Sequence, residues 1–167
     1  SLQEEPGPAP SQAEVCSTLR MGVYKYGAIT PAEAERDIAR LREAGYNAIL
    51  TEGQRYLFVD TPEHPPLPDV LFGTLPFAEN VRRTKVVVDA CHKLGLKAYL
   101  HLTMAAAPDT FAAEHPDWMA LSLKDGKPTP IWGLRWACLN NQDFLQAYYP
   151  RLETLIRESG TDGLMVD

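Results

Sequence analysis

Apolar positions in this chain fall into short runs separated by longer stretches of helical spacing. Leu19 to Tyr26 is such a run and predicts a first strand. Thr30 then reads as a helix N-cap, with Pro31 at the first helical position and Glu33 closing a capping box. Ala34, Ile38 and Leu41 recur at helical spacing and form the predicted buried stripe, and Gly45 ends the helix. Asn47 to Thr51 is a second short strand, which delivers Glu52 and Gly53 at its tip. A Pro-dense loop from Gln54 to Pro76 follows, of a length that is uncommon unless functional. The next helix spans Ala78 to Leu94, with Val87, Cys91 and Leu94 on its apolar face and Gly95 as its stop. Leu96 to Thr103 is the third strand and carries His101 near its tip.

A second excursion, Met104 to Asn140, reads as a loop containing His115-Pro116-Asp117-Trp118, Trp132 and Trp136. Asn141 caps a helix expected over Gln142 to Ser159, and Pro150 is expected to kink or split it. Gly160 ends that helix, and a last strand starts near Gly163. Strands alternating with helices imply a parallel sheet in an α/β fold. A doubly wound sheet fits the same order, but Tyr24-Lys25-Tyr26-Gly27-Ala28 is not the Gly-rich phosphate turn it carries after its first strand. Both long excursions follow strands, on the face where barrels build their sites. The pattern therefore predicts the N-terminal half of a (β/α) barrel over residues 18–167. Four parallel strands cannot close a barrel, and the last would leave an unpaired edge. The expectation is that the native chain continues past Asp167, in preference to association of two copies.

Composition narrows the class. A hydrophobic fraction of 45% and a charged fraction of 23% suit a globular domain. No apolar run approaches the ~20 residues that span a bilayer. A net charge of −6 argues against nucleic acid or an anionic membrane as partner. The cysteines, Cys16, Cys91 and Cys138, show no metal spacing and no disulfide framework. Residues 1–17 read as a disordered leader or linker rich in Pro, Glu and Ser. A leader of this kind suits an exported protein whose signal has been removed.

From Glu114 onward the order is Glu-His-Pro-Asp-Trp, a Lys124-Asp125-Gly126 turn, Trp136-Ala137-Cys138-Leu139-Asn140-Asn141, a helix, and Asp162-Gly163-Leu164-Met165-Val166-Asp167. This order resembles the barrel-type glycoside hydrolases related to α-fucosidases, α-galactosidases and α-amylases. The resemblance implies a (β/α)8 TIM barrel, of which the chain supplies about the first four β/α units. It also implies that Asp167, ending the fourth strand, is the catalytic nucleophile of a retaining glycosidase. Such enzymes use two carboxyl groups roughly 5–5.5 Å apart. The acid/base would come from a later strand, so residues 1–167 alone are expected to be inactive. Barrel glycosidases with an Asn-Glu pair on the fourth strand are a poorer fit, since Val166-Asp167 stands there. No cofactor is implied.

Each candidate also has a plainer reading. Asp167 would otherwise cap a following helix. His101 and Glu52, at strand tips, would bind sugar hydroxyls or else be structural. Tyr24, at the first strand tip, would reach substrate or pack across the barrel mouth. Trp132 and Trp136 offer apolar faces on which a sugar ring stacks, or they pin the loop. Trp118 reads as packing. Asn140 would face the site or share the capping role of Asn141. Glu52, His101 and Asp167 would also suit a divalent metal, as in barrel isomerases and lyases, although no His-x-His or Glu-x-x-His pattern supports it. A sugar-binding barrel without catalysis is the non-enzyme alternative.

Overall fold

The computed structural model describes residues 19–24, 30–51, 77–102, 106–131 and 134–166. The predicted leader, the Gln54–Pro76 loop, Glu52, Trp132 and Asp167 lie outside the described residues. The main layer is a sheet built from β1 (Met21–Tyr24), β2 (Ala48–Thr51), β3 (Lys97–Leu102) and a last strand, Gly163–Val166. Between them lie α1 (Pro31–Glu43) and α2 (Phe77–Lys93). The excursion after β3 holds β4 (Ala106–Ala107), α3 (Asp109–Glu114), a 3₁₀ turn (Pro116–Trp118), β5 (Pro130–Ile131) and β6 (Leu134–Trp136). The chain then runs through α4 (Gln142–Ser159) into that last strand, β7.

The main sheet has the order β1-β2-β3-β7, and every pairing is parallel. Consecutive parallel strands are thus neighbours joined through helices, as the alternation predicts. A mixed α/β fold with a parallel sheet is what the described residues show.

Local chemistry explains the elements. The Thr30 hydroxyl accepts from the Glu33 amide at 3.3 Å, and the Glu33 carboxylate accepts from the Thr30 amide at 3.1 Å. These reciprocal bonds satisfy donors that a helix start leaves open. Gly45, Gly95 and Gly160 follow α1, α2 and α4 with φ of +91°, +74° and +72°, which side chains disfavour. The Asn141 side chain caps α4 by accepting from the Phe144 amide at 2.9 Å. Pro150 does not split this helix, which is continuous from Gln142 to Ser159. Buried Phe144 and Tyr148 anchor it before the proline and Leu155 anchors it after, so packing holds both halves.

Two apolar clusters lie between sheet and helices. One gathers Ile49 and Ala98 of the sheet with Ala34 and Ile38 of α1 and Val87 and Cys91 of α2. Burial pushes the Cys91 thiol up to about 12, which marks it as core filler. The other joins Leu100 and Leu102 to Val81 of α2 and to Phe144, Tyr148 and Leu155 of α4.

The excursion is more ordered than the loop the sequence predicts. Its strands form a small antiparallel sheet, β4-β6-β5, whose Ala107 and Ala137 join the second cluster. Trp118 packs there too and stacks on His115 at 3.9 Å between centroids. Among the described residues no helix is long and apolar enough to cross a membrane.

Candidate functional site

Strand alternation sorts the sheet into two faces. Gly22 is in register with Ile49 and Ala98, and Tyr24 with Thr51 and Leu100. Ile49, Ala98 and Leu100 belong to the clusters under the helices, so this row faces the helix layer. The opposite face carries Val23, Leu50 and Tyr99 in one row and His101 with Met165 in the next. In a barrel that second face is the interior, and its C-terminal end is the site face.

His101 is where the sequence puts it. It lies on this inner face, one residue before the end of β3 and in register with Met165 of β7. It is 4% exposed, a buried imidazole at the C-terminal end of the sheet.

Tyr24 goes elsewhere. Its ring packs in the cluster with Ala34 and Ile38, and its hydroxyl donates to the Asp37 carboxylate at 3.2 Å. The structure therefore places it in the helix layer and does not bring it together with His101. Apolar residues on both sides of β1 left its facing open in the sequence.

Trp136 is half-buried on β6, where its amide donates to the Thr129 carbonyl at 3.0 Å. Its strand pairs with β4 at Ala106, four positions along the chain from Leu102, where β3 ends. Asn140 is exposed in the turn before α4, and capping falls to Asn141. Glu52, Trp132 and Asp167 lie outside the described residues. Among the described residues no group of three His, Cys, Asp or Glu side chains is arranged to hold a metal.

The opposite end of the sheet carries a constellation that the sequence does not reveal. The Asp162 carboxylate, just before β7, accepts from Lys97 Nζ at 2.7 Å and from the Ala98 amide at 2.9 Å, and lies 2.8 Å from His92 Nε2. Burial raises its pKa, but these partners outweigh burial and hold it at about 2. At the N-terminal end of a parallel sheet, such a set reads as stability rather than chemistry. Its partners lie 64 to 70 residues away along the chain, so no local motif signals it.

No known family profile and no curated protein sequence matches the chain. Solved structures do. The chain is similar to a maltogenic alpha-amylase from Thermotoga neapolitana, at 16% identity and TM-score 0.61, over 90% of this chain and 39% of that one. It is similar to a cycloisomaltooligosaccharide glucanotransferase from Paenibacillus sp., at 16% identity and TM-score 0.62, over 89% of this chain and 23% of that one. An alpha-galactosidase from Thermus thermophilus aligns at 16% identity and TM-score 0.57, over 89% of this chain and 30% of that one. The chain thus spans well under half the length of the structures it matches. At this identity the likeness is one of fold: the chain has a glycoside-hydrolase-like fold.

Proposed function

We propose that the protein is a glycoside hydrolase acting by a retaining two-carboxylate mechanism, and that residues 18–167 form the first half of its TIM barrel. The observation that carries the reading is the seating of β7. It lies parallel to β3 with Met165 in register with His101. We read Asp167, the next residue in the sequence after β7, as the nucleophile. The fold likeness to amylases and galactosidases supports the same reading.

In this proposal the Asp167 carboxylate attacks the anomeric carbon. A carbon–oxygen ester bond forms as the glycosidic bond breaks, and the leaving oxygen takes a proton from a general acid on a later strand. Water then cleaves the ester, with that second group as base. Glu52, the next residue in the sequence after β2, and His101 on β3 are the proposed polar contacts. Both then bind sugar hydroxyls. Trp132 and Trp136 are the proposed stacking surfaces and Asn140 a rim contact. Tyr24 is left out, because Asp37 holds its hydroxyl.

The test is Asp167→Asn assayed on aryl glycosides in the full-length protein. The variant is expected to lose on the order of 10³-fold or more in kcat, as for a group acting in the transition state. Azide should restore turnover to Asp167→Gly as a glycosyl azide. Near-normal turnover by Asp167→Asn would remove the nucleophile assignment.

A further inference from the structure

We infer that Asp162 is a positioning residue: its clasp on Ala98, Lys97 and His92 sets the register of β7 on β3. It thereby fixes which face of the sheet the tip of β7 presents. The inference rests on the reading of Asp167 as nucleophile for its functional consequence, but not for its structural content.

The argument starts from what β7 lacks. Leu164, Met165 and Val166 are all apolar and are 36%, 42% and 49% exposed. No in–out alternation distinguishes their two faces. A strand of this kind specifies its own register weakly, yet a slip of one residue turns every side chain to the other face. Among the described residues β7 pairs with β3, and its register is read from that pairing. A contact outside the strand can therefore decide its register.

Thr161-Asp162-Gly163 supplies it. The Asp162 amide donates to the Ala98 carbonyl at 2.8 Å, and the Ala98 amide donates back to the Asp162 carboxylate at 2.9 Å. Both backbone groups of one residue on β3 are thus bound by one residue before β7. Lys97 and His92 hold the same carboxylate from β3 and α2. The Thr161 hydroxyl lies 2.9 Å from the Ala98 carbonyl and 3.0 Å from that of Gly163. A slip in either direction would bring Thr161 or Gly163 opposite Ala98. Neither has a carboxylate to meet the Ala98 amide, and Lys97 would lose its partner. Gly163 adds a steric check, because a Cβ there would stand 2.9 Å from the Tyr99 ring, so any other residue opposite Tyr99 would force the ring to shift.

The experiment compares Asp162→Ala, Asp162→Asn and the milder Lys97→Met in the full chain, using amide hydrogen exchange and methionine-methyl NMR. In Asp162→Ala, exchange of the 163–166 amides should rise by about 10-fold or more while residues 48–51 stay within about twofold. The Met165 methyl resonance should shift as its residue leaves register with His101. Lys97→Met should shift both signals in the same direction by less. A rise of equal size in every strand, or an unchanged Met165 methyl resonance, would overturn the inference. On an aryl glycoside, Asp162→Asn should lower kcat with KM held within about twofold. An unchanged kcat beside an inactive Asp167→Asn would overturn the positioning role and leave the glycosidase reading standing. Local loosening of β7 in a protein that turns over no glycoside would support the clasp and sink the glycosidase reading.

Discussion

Burial alone would raise the Asp162 pKa, yet bonds from Lys97, the Ala98 amide and His92 hold it at about 2, below the ordinary 3.8. A folded-state value below the unfolded one favours the ion in the native state. That contribution to stability is complete above about pH 4 and fades as pH falls toward 2. Glu79 behaves alike: hydrogen bonds from Arg82 and Arg83 bring it from 4.5 to about 2. Melting temperature should therefore be nearly flat from pH 7 to 5 and drop below about pH 4. Asp162→Asn should lose about 1–3 kcal/mol at pH 7 and show a shallower acid drop, read by thermal melts in a pH series. An undiminished drop would mean that the clasp does not titrate as described. Gly163 supplies a second residue-scale prediction. Gly163→Ala meets the Tyr99 ring at 2.9 Å and should destabilise by about 1–3 kcal/mol. A denaturant midpoint unchanged from wild type would contradict that close approach.

Elements whose determinants are near in sequence are legible without coordinates. The Thr30–Glu33 box, the Asn141 cap and the glycines after each long helix act over four residues or fewer, and each appears as read. Determinants far apart are not legible, as the Asp162 partners on α2 and β3 illustrate. The small sheet escaped because β4 and β5 are two residues long and β6 three, too short for a period to register. The seat of His101 near the end of the third strand was legible from the apolar run, whereas the partner that claims Tyr24 sits on α1. Two element-scale outcomes follow, both measurable by denaturant unfolding. Thr30→Ala should weaken α1 by about 1 kcal/mol. Pro150→Ala should stabilise by about 2 kcal/mol, because an interior proline removes a helix hydrogen bond while returning only part of that through the unfolded chain. A loss of stability in Pro150→Ala would show that the helix needs the proline's geometry there.

The molecule as a whole carries apolar surface on both sides of its last strand. Leu164 and Val166 lie on the helix side and Met165 on the inner side, all partly open. On α4, Tyr149, Leu152 and Ile156 line an open groove of about 360 Å³ together with the paired Glu153 and Arg157. In a barrel, a helix and a further strand would cover both surfaces. Residues 1–167 in isolation should therefore bind a hydrophobic dye and scatter light increasingly with concentration, because a free apolar edge templates association. Val166→Lys combined with Tyr149→Lys should suppress the scattering and leave stability within about 0.5 kcal/mol, as for exposed positions. In a longer protein whose further β/α units close the sheet, the same pair would place charges in a covered layer and destabilise by several kcal/mol. The sign of that difference, measured by denaturant unfolding of the two lengths side by side, separates a sheet that ends at β7 from one that closes. Equal tolerance in both would count against the half-barrel reading.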